Sequence, residues 1–141
     1  MKRTEGKVII VTGGALGIGR ETCILLAKEG AKVALCSRSH EKLVEAEAAL
    51  KEEFGAETSV ASFVCDVTDK DQIDQLIADV SAHFGGLDIL INNAGTGSEE
   101  TILDASDDRW QYYCTHSTTC RKQAYKTWLA NPQKPRRLTP L

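Results

Sequence analysis

The chain of 141 residues has no proline before Pro132 and no tyrosine or tryptophan before Trp110. Most of its length is therefore free of the residue that breaks helices and buried strands. It also has no acidic residue after Asp108: all 20 Asp and Glu lie before residue 109, together with 10 of the 17 Lys and Arg, and residues 109–141 carry the other 7. No apolar run approaches the ~18 residues that a membrane span requires. The N-terminal Met-Lys-Arg-Thr-Glu-Gly has no apolar segment of the kind that directs secretion. A cytoplasmic protein with no membrane partner is expected. The five cysteines are odd in number and include no Cys-x-x-Cys pair, which suits neither a disulfide framework nor a zinc site. Cys23, Cys36 and Cys65 fall in apolar periodic segments, where cysteine behaves as a small hydrophobe. No metal site is expected.

What is present up to residue 108 is a regular alternation. Short runs rich in Val, Ile, Leu and Cys at Val8–Val11, Lys32–Cys36, Ser59–Cys65 and Leu87–Ile91 read as strands. They are apolar on both faces, as in a parallel sheet covered on each side. Between them lie amphipathic stretches with start and stop signals. The first follows a glycine-rich turn and stops at Gly30. The second is capped by Ser39, lines up Leu43, Ala46, Leu50 and Phe54, and stops at Gly55. The third starts at Thr68 with Asp71 completing a capping box, and places Ile73, Leu76, Ile77, Val80 and Phe84 on one face before Gly85-Gly86. The pattern predicts an α/β fold, a Rossmann-like doubly wound parallel sheet that is incomplete at about four strands. A polar loop at Thr96–Glu100 and a further helix near Asp104–Trp110 are expected next. We divide the chain into a unit at 1–112 and a basic, proline-containing tail at 113–141, expected to be poorly ordered.

The chemistry is concentrated where strands end. Thr12-Gly13-Gly14-Ala15-Leu16-Gly17-Ile18-Gly19 joins the first strand to the first helix. A glycine turn feeding a helix offers backbone N–H groups and the positive end of the helix dipole to a phosphate, without Cβ atoms in the way. Gly19 would allow close packing of the helix on the sheet. The second strand ends at Cys36-Ser37-Arg38-Ser39, with none of the carboxylates that usually accept from the ribose hydroxyls of NAD. A guanidinium there can pair with a 2′-phosphate, which favours NADP and leaves NAD as the alternative; Arg38 could otherwise be a solvated residue beside a helix start. Asp66-Val67 follows the third strand, and Asp66 could accept from an adenine amino group or cap the helix behind it. Asn92-Asn93-Ala94-Gly95 follows the fourth. Its small Ala94-Gly95 pair would admit a cofactor, and an asparagine amide can brace neighbouring strands. All four segments fall at one edge of the sheet, where open α/β sheets bind ligands.

Thr12-Gly13-x-x-x-Gly17-Ile18-Gly19, Asp66-Val67 and Asn92-Asn93-Ala94-Gly95, in content and spacing, resemble the motifs of the short-chain dehydrogenase/reductase family over residues 5 to about 112. The resemblance implies a Rossmann-like fold, an NAD(P) cofactor and hydride transfer between that cofactor and an alcohol or carbonyl. It places cofactor-binding roles on Gly13, Leu16, Gly17, Ile18, Gly19, Ser37, Arg38, Asp66, Val67, Asn93, Ala94 and Gly95. It also implies a Tyr-x-x-x-Lys pair in which the lysine lowers the pKa of the tyrosine, with a serine upstream and an asparagine on the preceding helix. The sequence has no such pair: His116, Ser117 and Leu129 stand four residues after Tyr112, Tyr113 and Tyr125. No asparagine lies between Asn93 and Asn131. Catalytic residues are therefore assigned to none of the 141 positions. The expectation is an oxidoreductase-family chain that is catalytically impaired as written, with a non-catalytic dinucleotide-binding or subunit-pairing module as the alternative. A change of reading frame or an alternative ending after about Tyr113 would produce the switch in composition, and a divergent but functional ending is the other reading. The partner expected is the dinucleotide, joined by a small alcohol or carbonyl substrate only where a complete catalytic half exists. The basic tail is not expected to bind nucleic acid, and oligomeric state is left open. An apolar fourth strand at the sheet edge is expected to leave the fold marginally stable.

Overall fold

Residues 3–95, 106–109 and 111–112 are described by a computed structural model. The strands are β1 (Val8–Thr12), β2 (Lys32–Ser37), β3 (Val60–Val64) and β4 (Ile89–Ile91), and the helices are α1 (Gly17–Lys28), α2 (His40–Phe54) and α3 (Lys70–Phe84). The four strands form one parallel sheet in the order β3-β2-β1-β4. The chain steps outward from β1 to β3 and then returns across the sheet to place β4 against the far side of β1. The direction of winding thus reverses between β1 and β4.

The period of two along each strand builds a separate core on each face. Ile9, Val11, Val33 and Leu35 point to one face, where they meet Cys23 and Ala27 of α1 and Leu43, Ala46 and Leu50 of α2. Val8, Ile10, Ala34 and Cys36 point to the other, where Ile73, Leu76, Ile77 and Val80 of α3 cover them. β1 is buried at all five positions, which explains its unbroken Val-Ile-Ile-Val-Thr. Gly30 has φ +80° just after α1, and the left-handed Gly85 ends α3 with its N–H donating to the Ser81 carbonyl at 2.9 Å.

Two local expectations are corrected. α3 is capped by Asp69, whose side chain accepts from the N–H groups of Asp71 (2.9 Å) and Gln72 (3.3 Å), and not by Thr68. Thr68 is engaged elsewhere: its N–H (2.9 Å) and its hydroxyl (2.7 Å) both donate to Asp66 Oδ1. β4 is shorter than the Leu87–Ile91 expected. The Asp88 carboxylate accepts from the Val8 N–H at 2.9 Å while its own N–H donates to the Val8 carbonyl, so a side chain takes the place of a ladder carbonyl. Among the described residues no helix is long and apolar enough to cross a membrane, and no His, Cys, Asp and Glu cluster could hold a metal ion. Residues 107–109 and 111–112 are helical. The Thr96–Glu100 loop, Asp104, the 113–141 tail, Tyr113, Tyr125, Cys114 and Cys120 lie outside the described residues.

Two measurements check this packing. Leu50→Ala, at a side chain 1 % exposed, should cost about 2–5 kcal/mol in urea unfolding. Asp69→Ala should lower Tm more than Thr68→Ala. Hydrogen bonds from Gln72 and Asp71 hold the Asp69 carboxyl below its ordinary pKa. The stabilisation it supplies is therefore complete above the unfolded-state pKa and disappears as pH falls through the lowered native one.

Candidate functional site

The segments that follow β1, β2, β3 and β4 meet around a cavity of about 420 Å³. Its lining takes Gly13 and Leu16 from the glycine turn, Ser37 and Arg38 from the end of β2, Asp66 and Val67 from the end of β3, and Asn93, Ala94 and Gly95 from beyond β4. Three of the residues singled out by sequence are not in that lining. Gly17, Ile18 and Gly19 form the first turn of α1 beside it, with Ile18 79 % exposed and Gly19 packed beneath the turn. The cavity also takes in Ala15, Cys36, Ser39, Lys42 and Cys65, which sequence reasoning did not assign to a site. For Lys42 the missed signal was the Ser39 cap: the Lys42 N–H donates to the Ser39 side chain at 3.5 Å, which keeps the first turn of α2 next to the end of β2.

The seam between β1 and β4 is held by Thr12, the one buried polar residue among those described. Its hydroxyl accepts from the N–H groups of Asn93 (3.0 Å) and Ala94 (2.9 Å) and donates to the Ile91 carbonyl at 3.3 Å. The Asn93 amide returns the contact, Nδ2 donating to the carbonyls of Thr12 (3.1 Å) and Gly13 (3.3 Å). The turn itself is tied to β2 by the Gly14 N–H, which donates to the Cys36 carbonyl at 3.1 Å.

Glycine is required here for two reasons. Gly13 sits at φ +69°, and a Cβ there would come within 2.9 Å of Asn93 Nδ2. A Cβ on Gly19 would overlap the Gly13 carbonyl oxygen and approach Asn93 Nδ2 to 2.5 Å, so the helix start, the turn and the asparagine can close up only without it. α1 also differs from the other helices at its N-terminus. Ser39 caps α2 and Asp69 caps α3, whereas Leu16 offers α1 no side-chain cap and its first turn contains no acidic residue. Uncapped N–H donors and an undiminished positive dipole end suit an anion.

Charge in the cavity is divided. Arg38 and Lys42 are exposed cations, and among the described residues neither takes part in an ion pair. Asp66, on the β3 side, does not cap α3, which removes one of its two expected roles; it holds Thr68 and so shapes the turn into that helix. The thiols differ too. A hydrogen bond from the Cys36 thiol holds Cys65 below the ordinary thiol range, against burial and the carboxylates of Asp66 and Asp69. Burial pushes Cys23, in the opposite core, up to about 12.

A parallel sheet with its winding reversed between β1 and β4, and a glycine cradle at that reversal, meets its counterpart in known proteins. The family model for short chain dehydrogenases matches residues 7–128. The chain belongs to the short chain dehydrogenase family. The match runs on past residue 112, where the sequence motifs give out. The chain is 38 % identical over 108 residues to a 3-oxoacyl-[acyl-carrier-protein] reductase of Thermotoga maritima, covering 77 % of this chain and 43 % of that one. It is 46 % identical over 97 residues to the NAD(+) 15-hydroxyprostaglandin dehydrogenase of Bos taurus, covering 68 % and 36 %. The solved L-sorbose reductase of Gluconobacter frateurii, complexed with NADPH and L-sorbose, superposes with a TM-score of 0.79 at 39 % identity, over 87 % of this chain and 46 % of that one. The chain thus spans less than half the length of these relatives.

Thr12→Val keeps the shape of the side chain but leaves the Asn93 and Ala94 N–H groups without their acceptor. It should cost about 1–3 kcal/mol in urea unfolding, and Thr12→Ser should restore most of the loss.

Proposed function

We propose that this chain binds a nicotinamide dinucleotide across the C-terminal edge of its sheet, with a preference for NADP over NAD. The observation that carries the reading is the convergence of four post-strand segments on one cavity, beside a helix whose N-terminus is uncapped and whose approach to Gly13 and Asn93 a single Cβ would block. Gly13, Leu16, Gly17, Ile18 and Gly19 would hold the pyrophosphate through backbone N–H groups. Ser37 and Arg38, with Lys42 alongside, would receive the 2′-phosphate end. Asp66 and Val67 would border the adenine, and Asn93, Ala94 and Gly95 would leave room for the rest. The preference for NADP rests on Ser37, Arg38 and Ser39 at the end of β2 and Lys42 in the first turn of α2, with no carboxylate among these lining residues. Relatives give both precedents, since the sorbose reductase was solved with NADPH and the prostaglandin dehydrogenase is named for NAD(+).

The bound group supplies a hydride acceptor or donor, and the activity proposed for the whole protein is the interconversion of an alcohol and a carbonyl. Within the 141 residues no Tyr-x-x-x-Lys pair is available to exchange the proton that accompanies the hydride. As written, the binding unit at 1–112 holds the cofactor without efficient turnover, and residues 113–141 add a basic segment whose first part, to residue 128, still falls within the family match.

Fluorescence titration should give saturable binding of NADPH, and weaker binding of NADH. Arg38→Ala should narrow or abolish the difference by weakening NADPH about 10-fold, the equivalent of one lost charge-assisted contact; equal affinities in the unaltered chain would refute the preference. A panel of alcohols and ketones should show no turnover above blank. The coding sequence beyond Tyr113 should contain a Tyr-x-x-x-Lys segment in another frame if a frame change created the tail.

A further inference from the structure

Cys36 ends the buried part of β2 and Cys65 is the first residue after β3. In the β2–β3 register Cys36 faces Phe63 and Ser37 faces Val64, and the ladder continues with the Cys65 N–H donating to the Ser37 carbonyl at 2.9 Å. Cys36, Phe63 and Cys65 therefore share one face of the sheet. There Cys36 Sγ lies 4.0 Å from the Cys65 carbonyl oxygen, and its single proton can turn instead to the Cys65 sulfur. Both residues line the cavity floor, and the reading of the cavity as a dinucleotide site makes no use of either sulfur.

We propose that Cys36 and Cys65 form a redox-active thiol pair in the cavity floor, closed to a disulfide by hydrogen peroxide. The Cys65 thiolate attacks one peroxide oxygen, the O–O bond breaks, and sulfenic acid forms on Cys65 as the other oxygen leaves and is protonated to water. The Cys36 sulfur then attacks the Cys65 sulfur, the S–O bond breaks, and the oxygen leaves as a second water after taking the Cys36 proton. Two thiols lose two electrons in all, and one peroxide becomes two waters. The order of attack follows from which thiol is the easier to deprotonate. Cys65 is favoured by the Cys36 hydrogen bond, whereas Cys23 is held protonated by its apolar surroundings and serves as an internal control. Since Cys65 lies two residues beyond the partner of Cys36, bond formation draws the segment carrying Asp66 toward the end of β2. The step needs no dinucleotide, so it stands or falls apart from the proposed cofactor.

The test is peptide mapping by mass spectrometry of the full 141-residue chain, reduced, treated with hydrogen peroxide and then alkylated. The expected major product is a Cys36–Cys65 linked peptide, formed roughly tenfold or more faster than any oxidation of Cys23. Cys36→Ser should instead leave a sulfenic acid on Cys65 that dimedone traps. Because the unaltered chain gives the deciding readout, a variant that fails to fold does not spoil the test. The proposal is overturned if Cys36 and Cys65 stay reduced, if each oxidises singly without a cross-link, or if Cys65 links to Cys114 or Cys120.

Discussion

The arrangement depends on the Thr12 hydroxyl. Reversal of the winding between β1 and β4 sends the segments after these two strands apart, so the first N–H groups beyond β4 have no neighbouring strand to receive them. Thr12 Oγ1 accepts from two of them and donates to the Ile91 carbonyl, which uses its one proton and both lone pairs. A hydroxyl is the only small group able to do all three in a position 1 % exposed. With the seam closed in this way, the Asn93 side chain is aimed at the carbonyls of Thr12 and Gly13, and the glycine turn is fixed between Asn93 on one side and the Cys36 carbonyl on the other. The cavity is thus bounded by backbone that has little freedom to shift, which is the condition for a preformed ligand site.

The same constraint explains why glycine appears where it does. Gly19 lies under the Gly13 carbonyl, so any larger residue would push α1 away from the sheet and open the seam that Thr12 closes. Gly17 has open space around it and φ +53°, so there glycine serves the backbone angle alone. Spacing in the motif reflects two separate requirements, one of conformation and one of contact.

Much of this was legible in the sequence because periodicity and end signals agreed. Alternating faces in β1 and β2, the α2 stripe of Leu43, Ala46 and Leu50, and stops at Gly30 and Gly85 all report packing that a single element sets for itself. The misses arise where two elements compete. Thr68-Asp69-Lys70-Asp71-Gln72 contains two overlapping start signals, and Asp66, outside the helix, decides between them by engaging Thr68. β4 is short because Asp88 turns its side chain to β1, a contact across 80 residues of sequence that no local pattern reports. In the cavity, the residues at strand ends were found from their motifs. Lys42, Cys36 and Cys65 were not, because they reach the lining from inside a helix or from the core face of the sheet.

Net charge gave no guide to this site. Residues before 109 carry twice as many acids as bases, which on average repels an anion such as a dinucleotide. Local placement reverses that sign. The acids of α2 and α3 are spent on solvent-facing positions and on caps or ion pairs, such as Asp69 at a helix start and Asp74 with Lys70. Among the described residues lining the cavity the only carboxylate is Asp66, set against Arg38 and Lys42 and beside the uncapped end of α1. Screening reduces the distant acids to little at physiological ionic strength, where charges beyond about 8 Å are largely hidden from one another. A ligand at the sheet edge therefore meets the two cations and the helix dipole rather than the average of the chain, and an acidic fold can present an anion site without contradiction.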